Sequence, residues 1–127
     1  MGNIKIISNN PQVLRDYPRH TQKVEGGVLE VYTAARDEIH RGAVLINHPL
    51  SGSVKPNQSP YRSLLVSDYG AETDLDSLAL IEGAMHTLRR LPKLDRRYTE
   101  RTLADFQFVD HSLLAAAVQA LPAKYYF

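Results

Sequence analysis

Continuous apolar runs alternate with helix-spaced segments along this chain, and the alternation predicts an α/β protein. Residues 4–7 form a short, mostly apolar run that Lys5 interrupts, and residues 43–46 and 64–66 form two continuous runs. Runs of this length without polar alternation are typical of strands that are covered on both faces. Residues 22–25, which end at a pair of glycines, are predicted to form one further strand.

Two helices are predicted between these strands. Asn10 suits the capping position of a helix over residues 12–17, and Pro11 suits its first position. Apolar side chains at helical spacing predict a second helix over residues 28–41. Gly42 follows that segment and is its expected stop.

Two more helices are predicted in the C-terminal half. Residues 73–76 resemble a capping box and precede an amphipathic segment that runs to Leu91. Asp110 is predicted to cap a final, alanine-rich helix through residues 112–121. The aromatic residues 125–127 are expected to pack on their own or on a neighbouring subunit.

The order of these elements predicts one α/β domain that spans residues 1–127. We expect a three-layer α/β sandwich with a short four-stranded, mostly parallel sheet and two C-terminal helices. Right-handed crossovers place the first and third strands side by side, with the second strand outside the first. Ligands of such sheets collect beyond the carboxyl ends of the strands. Asn9 and Asn10 are therefore expected to meet residues 48–61 at one edge.

The loop over residues 49–61 is the most informative segment of the chain. Its length is near the limit beyond which connections are usually functional or disordered. Pro49, Pro56 and Pro60 restrict their own backbone torsions and those of the residues before them, which favours an ordered loop. We therefore expect a preorganised site here.

The polar groups of this loop suit an anionic small metabolite. Two serines and a glycine offer hydroxyl and backbone N–H donors, and a lysine supplies a positive charge. The spacing matches neither a P-loop nor a dinucleotide site, and the alternative is a surface turn with a solvated lysine. The predicted ligand-binding residues are Asn9, Asn10, His48, Ser51, Gly52, Ser53, Lys55, Asn57 and Tyr61.

His48 is the candidate for catalysis. Histidine side chains gain and lose a proton near neutral pH, and Ser51 or Ser53 would be the accompanying nucleophile of a small transferase or hydrolase. A histidine at a strand end more often braces a loop, and no GxSxG sequence is present. The catalytic residue therefore stays open.

Arg36, Asp37 and His40 near the end of the second helix are secondary candidates. Arg36 and His40 lie one helical turn apart, and Asp37 can pair with Arg41, which favours a structural role. The five histidines of the chain show no metal-ligand spacing. No metal and no other cofactor is predicted.

Composition narrows the function classes. The chain has no cysteine, which excludes disulfides, thiolate metal sites and cysteine nucleophiles. The first apolar run is too short for a signal peptide or a membrane span, so a cytoplasmic protein with no membrane association is expected. The net charge of +1 does not favour nucleic-acid binding.

One local basic cluster departs from this balance, and it consists of Arg89, Arg90, Lys93, Arg96, Arg97 and Arg101. Cations at a helix C-terminus favour the helix dipole, so a structural role is the simplest interpretation. The alternative is a protein-interaction module that docks through this cluster or through the aromatic tail. A homo-oligomer is also compatible with the exposed tail.

The chain resembles the GrdX family in its first half. The resemblance rests on Asn9-Asn10-Pro11, on Arg36-Asp37 with Ile39-His40 and Gly42, on His48-Pro49-Leu50 with Gly52-Ser53, on Lys55-Pro56-Asn57, and on Pro60-Tyr61 with Ser63.

The family consists of small proteins encoded beside the glycine, sarcosine and betaine reductase genes of amino-acid-fermenting bacteria. The resemblance implies an accessory association with a selenium-dependent reductase and its components, and it assigns no catalytic residue. The chain departs from the family pattern at Ala43-Val44, where a histidine and a basic residue are usual, and at Gln58, where an acidic residue is usual. Without cysteine or selenocysteine, the chain itself carries no thiol or selenol chemistry.

Overall fold

A computed structural model describes residues 2–52, 55–94 and 97–127, and within them the chain forms a mixed four-stranded sheet and four α-helices. The strands are β1 (Gly2–Ser8), β2 (Thr21–Lys23), β3 (Ser63–Ser67) and β4 (Tyr125–Tyr126). The helices are α1 (Pro11–Asp16), α2 (Val28–His40), α3 (Leu75–Arg90) and α4 (Glu100–Gln119).

β1 is the central strand of the sheet. β2 pairs with its second half in parallel, with Thr21 opposite Ile6, and β4 pairs with its start in parallel, with Tyr125 opposite Gly2. β3 runs antiparallel to β1, with Leu65 opposite Ile6. The sheet is therefore mixed, and the prediction of a mostly parallel sheet is wrong.

The predicted third strand, residues 43–46, makes only an isolated antiparallel bridge between Leu45 and Val66 of β3. The bridge is formed by the N–H of Ile46, which donates to the carbonyl of Leu65 at 2.8 Å, and by the N–H of Ser67, which donates to the carbonyl of Val44 at 2.9 Å. The N–H of Leu45 faces away from β3 and donates to the hydroxyl of Ser77 in α3 at 2.9 Å. β3 takes the predicted place beside β1. The connection over residues 47–62 joins residues 43–46 to β3 and contains no helix in its described part, which fits the antiparallel bridge between these two segments.

The predicted starts of α1 and α2 are confirmed. The side chain of Asn10 accepts a hydrogen bond from the N–H of Gln12 at 3.0 Å and caps α1. α2 begins at Val28 as predicted and ends one residue earlier than predicted, at His40. Local signals were sufficient here because capping and apolar spacing act within a few residues.

The C-terminal helices differ from the prediction in their start positions. α3 is capped by Asp74, whose carboxylate accepts from the N–H of Ser77 at 3.1 Å. α4 begins at Glu100 after the capping residue Thr99, so the predicted cap Asp110 lies in the middle of the helix.

No helix among the described residues is long and apolar enough to cross a membrane.

Two hydrophobic clusters contact the sheet, and alternate strand residues enter different clusters. The first joins Ile7, Leu64 and Val66 to buried side chains of α2 and α3. The second joins Ile6 and Leu65 to Val13 of α1 and Leu114 of α4, among others. The three-layer arrangement of the whole domain stays a prediction.

A buried carboxylate, Glu38, links α2 to the sheet. It contacts Lys5 of β1 at 3.2 Å and Arg41 at 3.1 Å, and the hydroxyl of Tyr69 donates to it. Burial alone would raise the pKa of Glu38, but the hydrogen bonds from Tyr69 and Lys5 and the charges of Lys5 and Arg41 outweigh burial and lower it. Arg41 thus pairs with Glu38 rather than with Asp37.

The aromatic tail packs on the chain itself, which is one of the two predicted alternatives. The ring of Phe127 lies 4.7 Å from the ring of His20 and 6.1 Å from that of Tyr17, measured between centroids. β4 adds backbone pairing to β1. Tyr125 and Phe127 pack against the second cluster, whereas Tyr126 is half exposed.

Two glycines give a matched test of backbone geometry. Gly42 has a φ of 105°, and a Cβ there would meet the backbone of Gly70, whose N–H donates to the carbonyl of Gly42 at 2.7 Å. We expect Gly42→Ala to lower the free energy of unfolding by about 2 kcal/mol or more.

Gly83→Ala is the control. Gly83 lies exposed inside α3 with open space around it, so its replacement should raise that free energy by about 0.5 to 1 kcal/mol. Urea unfolding measures both, and an unchanged stability of Gly42→Ala would contradict the geometry.

Candidate functional site

A buried polar network lies where β1 ends and β3 begins. The carboxylate of Asp110 accepts from the Ser63 hydroxyl at 2.7 Å and from the Asn10 side-chain amide at 2.9 Å. The Ser8 and Ser63 hydroxyls lie 2.7 Å apart, and Ser8 also accepts from the N–H of Asn10 at 2.9 Å. Because each hydroxyl has one proton and Ser63 donates to Asp110, Ser8 must donate to Ser63.

Asp110 is almost fully removed from water in this network. Burial raises the pKa of Asp110, although the hydrogen bonds from Ser63 and Asn10 and the charge of Arg62 act in the opposite direction. The predicted role of Asp110 as a helix cap is therefore wrong, because Asp110 lies in the middle of α4 and faces the network. One sequence signal of this burial was present: Asp110 lies one turn before Leu114, on the apolar strip of α4.

Asn9 connects the end of β1 to the loop. Its side-chain amide donates to the carbonyl of Pro60 at 2.8 Å and to that of Gly26 at 2.9 Å. Its side-chain oxygen accepts from the N–H of Arg62 at 2.9 Å. Asn9 and the loop thus lie at the same edge of the sheet, and the polar atoms of Asn9 are used in holding the chain segments together.

Contacts from three other elements hold the loop over residues 48–61. The hydroxyl of Tyr32 in α2 donates to the carbonyl of Pro49 at 2.7 Å, and burial raises the pKa of Tyr32, which keeps it a neutral donor. The hydroxyl of Tyr98 donates to the carbonyl of Gln58 at 2.6 Å. Further contacts come from Asn57, whose amide donates to the Pro92 carbonyl at 2.9 Å, and from Tyr61, whose hydroxyl accepts from Gln107 at 2.8 Å.

His48, Ser51 and Lys55 lie exposed on the outer side of the loop. The Nδ1 atom of His48 accepts from the N–H of Leu50 at 3.0 Å, a local brace of the kind that histidines at strand ends often make. No hydroxyl of a described residue lies within hydrogen-bond distance of the His48 ring. Ser53 lies outside the described residues, so a pairing of His48 with Ser53 stays a prediction.

Gly52 is the point at which the loop touches α4. Its φ is 100°, and a Cβ built on it would lie 2.7 Å from a methyl carbon of Leu113. The backbone conformation therefore favours glycine, and a larger residue would also have to displace the Leu113 side chain, which is exposed and can move. This structural reason is sufficient for Gly52 without a ligand.

Arg36, Asp37 and His40 lie in the second half of α2, whereas Asn9 lies beside its start. Arg36 and Asp37 contact each other at 3.8 Å, and the carbonyl of His40 accepts from Thr73. Among the described residues, the polar contacts of these three residues are thus made outside the loop.

A cavity of about 540 Å³, which we call the loop pocket, borders the loop on its α2 side. One wall is the start of α2 from Gly27 to Glu30, a second is the loop between Pro56 and Pro60, and the third is residues 88–94. Arg89 and Lys93 of the predicted basic cluster line this pocket and are exposed at its rim.

A second cavity of about 10 Å³, which we call the arginine cavity, lies on the α4 side of the same loop. Its wall includes Ser59, Tyr61, Arg62 and Asp110. Ser59 also belongs to the wall of the loop pocket. Among the described residues, no cluster of three or more His, Asp or Glu side chains could hold a metal ion.

These features define a small mixed α/β protein with a polar network at one sheet edge and a pocket beside an ordered loop. The family model described as GrdX-like protein matches residues 5–119, and the chain belongs to that family. The match extends the resemblance from the first half of the chain through α4. No curated protein and no solved structure matches the chain.

Replacement of Asp110 tests the polar network. A carboxyl with a raised pKa binds more protons in the folded than in the unfolded state, so its ionisation lowers stability as the pH rises above the ordinary value of 3.8. Asp110→Asn keeps an acceptor oxygen for Ser63 and Asn10 but cannot ionise. We expect the stability of the wild type relative to this variant to fall between pH 4 and pH 7.

Asp110→Ala leaves the Ser63 hydroxyl and the Asn10 amide without their acceptor, and we expect a loss of roughly 2 to 4 kcal/mol near pH 4 that becomes smaller as the pH rises, because the wild type alone is destabilised by ionisation. Asp105→Asn, at an exposed position of the same helix, is the control. Urea unfolding across this pH range measures all three variants. A wild type that gains stability over Asp110→Asn as the pH rises would contradict the burial effect.

Proposed function

We propose that this GrdX-family protein binds a small organic anion in the loop pocket. The observation that carries the proposal is a cavity of about 540 Å³ bordered by the ordered loop, a volume within the range of small-molecule sites. The start of α2 and the residues around Leu88 make much of the wall apolar, with few polar groups facing the interior. Sites of this composition bind an apolar body and orient it through a few polar contacts.

The charges around the pocket favour an anion. Arg89 and Lys93 stand at its rim, and Glu30 is the carboxylate in its wall. The Oε1 atom of Glu30 accepts from the N–H of Gly27 at 2.9 Å, so this carboxylate serves the start of α2. Because Arg89 and Lys93 outnumber Glu30, and Glu30 already accepts a hydrogen bond from Gly27, the net potential at the pocket is positive and favours an acid group.

Asn57 adds a requirement for the ligand. Its side-chain amide donates to the carbonyl of Pro92, but its Oδ1 atom is buried and has no hydrogen-bond partner among residues 2–52, 55–94 and 97–127. A buried acceptor without a partner costs free energy, which a ligand N–H or O–H group would recover. The preferred ligand is therefore an acid that also carries an amino or hydroxyl group.

The biological role that we propose is that of an accessory protein in glycine, sarcosine or betaine reductase metabolism. Membership of the GrdX family supports this role, and the absence of cysteine and selenocysteine fits a protein that assists the reductase rather than carrying its redox groups. Contact with reductase components, a cytoplasmic location and a homo-oligomer remain predictions from the sequence.

Calorimetry against glycine, acetyl phosphate, inorganic phosphate and nucleotides tests the pocket. We expect Arg89→Ala and Lys93→Ala each to weaken binding by roughly three- to tenfold, the effect of losing one partly exposed charge. Lys55→Ala is the matched control, because Lys55 is an exposed loop cation that does not line the pocket. If Lys55→Ala weakens binding more than the other two variants, the ligand lies on the outer loop surface instead. If no probe binds, the proposed function is wrong.

A further inference from the structure

Arg62 is a buried cation that the proposed pocket chemistry has not used. It follows the loop directly and precedes β3, and only 7% of its surface is exposed. Its Nε atom is buried and has no hydrogen-bond partner in the described part of the chain. Among the described residues, no carboxylate forms an ion pair with Arg62.

Burial of a guanidinium group without an ion-pair partner costs folding free energy. The guanidinium group stays protonated in proteins, so it cannot escape burial by losing its charge. Buried charges are therefore normally paired with an opposite charge or fully hydrogen-bonded. The nearby carboxylate of Asp110 accepts from Ser63 and Asn10 instead, and Tyr32 directs its hydroxyl to Pro49. Local protein groups thus leave the Nε–H donor of Arg62 unused.

The position of Arg62 relates it to the loop pocket. The arginine cavity has about the volume of one water-sized group, which is too small for a metabolite but sufficient for one oxygen atom of an acid group. Ser59, two residues beyond Asn57, belongs to the walls of both cavities. A ligand whose body lies in the loop pocket can direct its acid group past Ser59 toward Arg62.

We propose that Arg62 is the buried anchor for the oxyanion, a carboxylate or phosphate group, of the ligand in the loop pocket. The inference rests on the proposed function and names the group that holds the acid end. Charge-assisted hydrogen bonds from a guanidinium to an oxyanion are among the strongest polar contacts in proteins. Arg89 and Lys93 then attract the anion at the rim, whereas Arg62 binds it.

Arg62→Met is the principal test, because methionine keeps much of the apolar stem and removes the charge. We expect the ligand-free variant to be about as stable as the wild type, because the loss of an unpaired buried charge is offset by the loss of the positive charge that favours ionised Asp110. We expect its affinity for glycine, acetate or inorganic phosphate, whichever the wild type binds, to fall more than tenfold. Arg89→Met is the matched control, because Arg89 is exposed at the rim and its replacement should cost less than tenfold.

The Nε–H resonance of Arg62 gives a direct measurement. Arg62→Lys identifies this resonance by removing it and also keeps a positive charge if Arg62→Met fails to fold. Titration of the wild type with acetate and with inorganic phosphate should shift the resonance saturably, and the more effective probe identifies a carboxylate or a phosphate ligand. If the Arg62 Nε–H group exchanges with water and its chemical shift does not change with either probe, the proposal that Arg62 anchors the ligand is wrong.

The two proposals can fail separately. If Arg62→Met binds the probes as the wild type does while Arg89→Ala and Lys93→Ala bind more weakly, the loop pocket stands and the anchor is wrong. If Arg62→Met loses binding and the rim variants do not, the anchor stands without the charged rim. If the wild type binds no probe, both proposals are wrong.

Discussion

The hydrogen bonds that Asp110 accepts from Ser63 and Asn10 are the constraint on which the site depends. Asp110 and Leu114 are the two buried residues of α4, and Ala117, Val118 and Gln107 add partly buried apolar and polar contacts around them. The two hydrogen bonds to Asp110 hold the end of β1 and the start of β3 against that helix. The loop and Arg62 lie between these elements, and their geometry follows from this junction.

The loop is held mainly through its backbone. Tyr32 and Tyr98 donate to loop carbonyls, and Asn9 donates to a third, so the loop position is set by α2, by the segment before α4 and by the end of β1. Backbone contacts of this kind leave the loop side chains available for other contacts. The loop, residues 88–94 and the start of α2 together form the walls of the loop pocket.

Sequence reasoning succeeded where the controlling interactions were local. The Asn10 cap and the extent of α2 depend on neighbours within one or two turns, and both were predicted. Prediction from the sequence failed where contacts with residues far away in the chain determine the structure. Residues 43–46 have the composition of a central strand, but β3 occupies the place beside β1 and the N–H of Leu45 finds a side chain in α3. The burial of Arg62 follows from contacts with distant elements, to which no short-range pattern points, and the helical spacing of Asp110 and Leu114 does not reveal which polar partners Asp110 meets.

The direction of the hydroxyl hydrogen bonds in the polar network has an evolutionary consequence. Because the protons can run only from Asn10 through Ser8 and Ser63 to Asp110, each position fixes the donor or acceptor role of the next. A change at one position is tolerated only when its neighbour changes in a compensating way. Among relatives, positions 8, 63 and 110 should therefore vary as a correlated set, either retaining the polar trio or replacing it together with apolar side chains.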